Sequence, residues 1–358
     1  MTAYLAHMVA QAHVSRLALI GLAKNVGKTT ATNHLLETLI SENLYRAEEL
    51  ALTSLGLDGE ATDALTGLPK PRYVPQAGLL VATTSDLLRQ AENEGAHIER
   101  LAHLPGRTAL GPVILARVRR PGRIIIAGPT LLRDLRVALD RLQEYGARLC
   151  IIDGAINRLG AASPSVTDAC IVCTGASAAA TPELVARRSS DVLARLTTPQ
   201  TRWSNVYKKH QPRARLLMFS PDGETACFSG SSEPAAEAQW IVTHLQSGAV
   251  FLLRGAFTEE LLRALLAQLP QHASDYQAEL VVGDGTKIFC HSVVLQRLAA
   301  RGLHVSVADP ISILALTINP YTPEYFCTPQ RLLDALIKEL PAGHPPIIDV
   351  VSGLGESL

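Results

Sequence analysis

Residues 16–30 read RLALIGLAKNVGKTT, and this stretch decides the fold class. Arg16–Ile20 is a short apolar run of strand type, closed by Gly21. A tight loop follows, and from Lys28 to about Ile40 the apolar residues Leu35, Leu36, Leu39 and Ile40 recur on one helical face. A buried strand, a glycine-containing loop and a helix opening at Gly27-Lys28-Thr29 form the context in which backbone N–H groups and a helix N-terminus cradle phosphate. In that arrangement Gly27 lets the backbone approach the anion, Lys28 reaches the outer phosphates, and the Thr29 hydroxyl takes one Mg²⁺ position. The loop differs from the common spacing G-x-x-x-x-G-K-[ST]: its first glycine is Gly21 and not residue 22, so it is one residue longer. Gly21, Lys24, Asn25, Val26, Gly27, Lys28, Thr29 and Thr30 are the candidate nucleotide contacts. Lys24 reads either as a nucleotide contact or as a solvated loop lysine.

Outward from this loop the alternation of strand and helix continues, which predicts an α/β protein with a mostly parallel sheet and helices on both faces. Strands are expected at Leu50–Leu55, Leu79–Thr83, Val113–Val118, Arg123–Ala127, Arg148–Ile152 and Ala169–Thr174. A helix capped by Thr130 runs to Tyr145 and stops at Gly146, and Pro182 sits in the first turn of a helix over Thr181–Leu196. The polar stretch 197–213 breaks periodicity and carries two prolines. It suggests a nucleotide-binding domain over 1–198, a linker over 199–212, and a second α/β domain over 213–358, to which only the resemblance described below gives a partner-binding role. The length, 358 residues, suits two domains at roughly 100–200 residues each. In the second half, a strand at Ala249–Leu253, helices at Thr258–Leu269, Ser292–Gly302 and Pro329–Leu340, and a strand near His304–Ala308 are expected.

Composition narrows the function. Lys and Arg total 33 against 33 Asp and Glu, so the chain lacks the net positive charge of a non-specific nucleic-acid binder. Residues 1–21 do not combine a basic segment, an apolar core and a small-residue cleavage site, and no apolar run approaches the ~18–20 residues that span a bilayer. Six cysteines in so long a chain do not build a disulfide framework. The expectation is a soluble, cytoplasmic protein with reduced thiols, no nucleic-acid partner and no membrane partner. Cys170 and Cys173 lie within an apolar strand and read as buried residues, as does Cys150. The pair Cys290-His291 has no partner ligands at metal-binding spacing.

The second acidic element of a nucleotide site is expected at Arg148–Asp153 (RLCIID), an apolar strand ending in a carboxylate. Asp153 either holds Mg²⁺ at the carboxyl end of the sheet or caps the turn that follows. Asp58, after the strand Leu50–Leu55, is the second candidate for the metal, with a plain Asp-Gly turn as its alternative; Glu60 is a weaker candidate for orienting water. Lys28, Asp58 and Asp153 are thus the candidate catalytic residues, and Thr29, Asp58 and Asp153 the candidate Mg²⁺ ligands. No [NT]-K-x-D follows the strand Ala169–Thr174, which favours ATP over GTP.

The long loop resembles the G-T-x-T-x-V-G-K-T loop of dethiobiotin synthetase and the cobyrinic acid amidating synthases, in the P-loop class that also holds MinD-like ATPases and metal-centre maturation GTPases. Lys24 lies four residues before Lys28, whereas the signature lysine of MinD-like loops lies five before. Leu52–Glu60 (LTSLGLDGE), Lys70-Pro71-Arg72, Ile126–Pro129 (IAGP) and Ile151–Gly175 (IIDGAINRLGAASPSVTDACIVCTG) add a second similarity. Together with the loop they resemble the P-loop accessory proteins associated with lysine 5,6-aminomutase and ornithine aminomutase. That resemblance implies an ATP- and Mg²⁺-dependent reactivating factor whose partner is an adenosylcobalamin-dependent aminomutase or a second reactivase subunit, with a homodimer expected by analogy. The first resemblance implies instead a ligase that uses ATP to activate a substrate carboxylate.

Overall fold

A computed structural model of the chain describes residues 3–56, 72–108, 110–154, 159–210, 214–270 and 276–356. The chain divides into two units, Met1–Ser190 with Ser312–Leu358, and Asp191–Ile311. The first unit opens with α1 (Tyr4–Gln11), β1 (Arg16–Gly21), α2 (Lys28–Ser41), β2 (Leu50–Leu55), β3 (Leu80–Thr84) and α3 (Ser85–Asn93). It continues through β4 (His97–Thr108), β5 (Gly111–Arg120), α4 (Leu132–Glu144), β6 (Leu149–Gly154) and β7 (Ala169–Gly175), and α5 (Pro182–Leu196) runs from it into the second unit. The second unit holds α6 (Ser204–His210), β8 (Leu216–Phe219), β9 (Thr225–Cys227), α7 (Pro234–Thr243), β10 (Val250–Leu253) and β11 (Phe257–Thr258). It ends with α8 (Glu259–Gln268), β12 (Ala278–Val282), β13 (Ile288–Phe289), α9 (Ser292–Ala299) and β14 (Leu303–Val307). The chain then returns to the first unit with β15 (Ile313–Asn319), α10 (Pro329–Glu339), β16 (Ile347–Ile348) and β17 (Gly355–Glu356).

In the first unit the strands form a 10-stranded sheet in the order β17-β16-β15-β7-β1-β6-β2-β3-β5-β4. From β16 through β3 every neighbouring pair is parallel. Antiparallel strands finish both edges, β17 at one and β5 with β4 at the other. Every residue of β2 and β7, and every residue of β1 after Arg16, is buried. Successive strand residues point to opposite faces, so continuous burial requires a covering layer on each face. Helix α4 shows how such a layer is specified: Leu135, Ala138, Leu139 and Leu142 recur at helical spacing and are fully buried. Each buried leucine there contributes about 2 kcal/mol. Asp134 in the first turn and Arg141 in the last complement the helix dipole.

In the second unit a five-stranded sheet runs β14-β12-β10-β8-β9, with β10, β12 and β14 parallel. Alternation along its strands separates two cores. Phe251, Leu253, Leu280 and Val282 pack with Ala238, Ile241, Leu261, Leu265 and Leu298 of α7, α8 and α9. Val250, Leu252 and Val281 pack instead with Tyr207 of α6, whose hydroxyl donates to Leu253 O at 3.0 Å.

Four expectations are corrected. The expected linker over 199–212 is no linker where it is described, 199–210: Thr201 and the preceding Thr198 are buried, Gln200 bridges Val307, and Tyr207 belongs to the second unit's core. The second domain is not 213–358 either, because β15 pairs in parallel with β7 and residues 312–358 complete the first sheet. Arg123–Ala127 is buried at Ile124, Ile126 and Ala127 but forms no strand. Among the described residues its only ladder contact is an isolated bridge between Tyr73 and Ile124, while Thr83 Oγ1 donates to Ile125 O and accepts from Ala127 N. Side chains thus satisfy a backbone whose composition reads as strand. Thr130 does not cap α4; the N-cap is Leu131, one residue later, with no side-chain cap. Among the described residues no helix is long and apolar enough to cross a membrane.

Cys150, Cys170, Cys173 and Cys290 are buried, and burial pushes each thiol up to about 12. At pH 8 such a thiol is ionised in only about one molecule in ten thousand. An aromatic disulfide reagent is therefore expected to modify exposed Cys227 quickly in the native protein and to leave these four untouched until denaturant is added. Fast native reaction of all six cysteines would contradict this packing.

Candidate functional site

The site lies where β1 ends. The ladder between β1 and β7 continues one residue past Gly21, with Leu22 N donating to Cys173 O at 3.0 Å. Val26, 2% exposed, anchors the loop from inside, and Lys24 and Asn25 are exposed. Gly27 is the N-cap of α2 at φ 84°, a left-handed conformation that favours glycine. A Cβ there would also lie 3.1 Å from the Asn319 Cβ, so a side chain would strain the backbone and crowd Asn319. No side chain caps α2 and no acidic residue stands in its first turn. Among the described residues the N-cap of this 14-residue helix supplies no side-chain acceptor to its first N–H groups, which suits an anion.

The loop is held by the two strands beside it. Ser177, just past β7, donates its hydroxyl to Lys24 O at 2.8 Å. Asn319, the last residue of β15, donates its amide to Asn25 O at 2.8 Å. The returning C-terminal segment thus supplies one of the loop's two side-chain clamps.

Lys28, the first residue of α2, is 8% exposed. Its Nζ donates to Gly154 O at 2.5 Å and lies 3.1 Å from Asp153 Oδ1. The register that aligns Leu19 with Asp153 brings the end of β6 beside the loop. The second carboxylate oxygen of Asp153, Oδ2, accepts a hydrogen bond from the Tyr73 hydroxyl. Oδ1 is buried and makes no hydrogen bond among the described residues. Thr29, half-buried, and Thr30, exposed, follow on α2.

Gly21, Val26, Gly27, Lys28, Thr29 and Asp153 are therefore gathered at one end of adjacent parallel strands. Asp58 and Glu60 lie outside the described residues. Sequence reasoning missed Tyr73, Gly154, Ser177 and Asn319, none of which stands at a fixed motif spacing. The segment Ile126–Pro129 also gains a role: Gly128 N donates to Ser54 Oγ, and Gly56 N donates to Pro129 O. A Cβ on Gly128 would sit 1.9 Å from Ser54 O, so this close approach to the end of β2 requires glycine.

Chemically, the site offers a lysine ammonium, helix N–H groups without a side-chain cap, the Thr29 hydroxyl, and a carboxylate oxygen that is ion-paired with Lys28 but makes no hydrogen bond, among the described residues. Hard oxygen donors of this kind suit Mg²⁺, which binds through one or two protein oxygens together with phosphates and water. Among the described residues no cluster of three His, Cys, Asp or Glu side chains forms a metal site by itself. No protein-family model, curated protein or solved structure matches the chain.

Removing one partner of a largely buried ion pair leaves the other uncompensated. Asp153→Ala is expected to destabilise the ligand-free protein by about 3 kcal/mol in denaturant unfolding, and a Lys28→Met, Asp153→Leu double variant to recover most of that loss. A loss below about 0.5 kcal/mol for Asp153→Ala would mean the pair behaves as a solvated surface contact.

Proposed function

We propose that the protein is a P-loop nucleoside triphosphatase that binds ATP with Mg²⁺ at residues 21–30 and acts as a reactivating partner of an adenosylcobalamin-dependent aminomutase. The single observation that carries the nucleotide part is the position of Lys28 at an uncapped helix N-terminus, against Asp153 of the neighbouring parallel strand. In this reading Lys28 exchanges Gly154 O for phosphate oxygens, and the N–H groups of the first turn of α2 take the remaining phosphate charge. Thr29 and Asp153 offer oxygens to the metal, with Asp58 as a further candidate ligand. If bound there, Mg²⁺ would supply charge neutralisation at the phosphates.

The choice of a remodelling partner over a ligase rests on the resemblance to the accessory proteins of lysine 5,6-aminomutase and ornithine aminomutase. Radical cobalamin enzymes keep the cofactor in a closed site, and exchanging a damaged cofactor requires opening it. Nucleotide state can drive such opening only if the protein binds the open and closed partner with different affinity in each state. A fused glutaminase is disfavoured, since Cys290 is buried with its thiol pushed up to about 12 and burial also raises that of half-buried Cys327.

The test is ATP turnover with Mg²⁺, alone and in the presence of an aminomutase inactivated by its own turnover. ATP-dependent recovery of mutase activity, absent with Lys28→Ala, is the expected result. ATP binding without recovery would overturn the partner assignment and favour the carboxylate-activating ligase. No ATP binding at all would overturn the nucleotide reading.

A further inference from the structure

The strand-like segment around Tyr73 has no place in the proposed chemistry so far, yet it is fixed with unusual completeness. Tyr73 is 5% exposed. Its backbone forms both hydrogen bonds of a bridge with Ile124, at 3.1 Å and 2.9 Å. The side-chain amide of Asn33 brackets it, donating to Arg72 O at 3.1 Å and accepting from Val74 N at 3.4 Å. Arg72 is in turn ion-paired with Glu94. Asn33 belongs to α2, the helix that carries Lys28 and Thr29 at its start. Tyr73 is therefore fastened to the same rigid element as the phosphate-binding residues, and its hydroxyl ends on Asp153 Oδ2.

We infer that Tyr73 is a positioning residue for the metal: it holds Oδ2 of Asp153 so that Oδ1 alone is presented to Mg²⁺. This rests on the nucleotide reading above. A carboxylate that ends a strand can rotate about its last bond, and a free one would offer either oxygen or both. The phenol donor removes that freedom and leaves the buried Oδ1, which makes no hydrogen bond among the described residues and lies 3.1 Å from the Lys28 ammonium, as the ligand position that opens when Lys28 moves to phosphate. Hydrogen bonds from outer residues to a ligating side chain commonly govern metal affinity tenfold or more. Because Asn33 bridges α2 and the Tyr73 segment, the Thr29 and Asp153 ligand positions are set relative to one another through a single chain of contacts.

The test is calorimetric binding of ATP in excess EDTA and in excess Mg²⁺, for the wild type, Tyr73→Phe and Asn33→Ala. Tyr73→Phe keeps the ring and the bridge with Ile124 and deletes only the donor. The expected result is that Mg²⁺ tightens ATP binding in the wild type, and that Tyr73→Phe loses about tenfold of this tightening while its affinity in EDTA is unchanged. Asn33→Ala, which frees the segment but keeps the phenol, is expected to lose a smaller part of the tightening in the same direction. Full Mg²⁺ tightening in Tyr73→Phe overturns the inference and leaves the nucleotide reading intact. An equal loss in EDTA and Mg²⁺ also overturns it, because Tyr73 then supports the site as a whole and not the metal. A wild type that binds no ATP removes the nucleotide reading and this inference with it.

Discussion

A lysine ammonium that is only 8% exposed needs partners, and Lys28 finds them on the adjacent strand, in the Asp153 carboxylate and the Gly154 carbonyl. Taking such a charge from water costs several kcal/mol unless the geometry returns it. The geometry is set by parallel pairing of β1 and β6, which places the end of one strand beside the helix that follows the other. The rest of the first unit serves this contact. β7 and β15 clamp the loop from one side, and the bridge between Tyr73 and Ile124 holds the carboxylate from the other. In the proposed reading, a contact supported in this way would be exchanged for phosphate without reorganising its surroundings, which is how a preformed anion site saves ordering entropy.

Two glycines show how closely backbone and function are bound together here. Gly27 adopts a conformation that side chains avoid and packs closely against Asn319. Gly21 has the Lys28 Cδ 2.9 Å from where a Cβ would stand. The lysine stem thus lies directly over the first glycine of the loop, and the longer spacing between Gly21 and Gly27 is compatible with that folded-back path.

The parts of this arrangement that depend on local pattern were legible in the sequence. β2 over Leu50–Leu55 and the start of α2 at Lys28 follow from hydrophobic periodicity and from the Gly-Lys-Thr signal. Asp153 follows from an apolar run ending in a carboxylate. What was not legible depends on long-range pairing. Nothing local in residues 312–358 says that they return to the first sheet, since a parallel strand carries no mark of its neighbours. Arg123–Ala127 has strand composition, but Thr83 and not a ladder takes two of its backbone groups. Tyr73 and Asn319 act through contacts with residues 80 and 294 positions away in sequence, and no spacing rule covers such distances.

The central claim is that Lys28 rests against Asp153 and Gly154 in the free protein and moves to a triphosphate when one binds. The most direct measurement is a crystal structure of the protein with Mg²⁺ and a non-hydrolysable ATP analogue. The account predicts the Lys28 ammonium hydrogen-bonded to phosphate oxygens and released from Gly154 O, with the metal beside Thr29 and Asp153. An analogue bound elsewhere, with Lys28 still on Gly154 O, would contradict it.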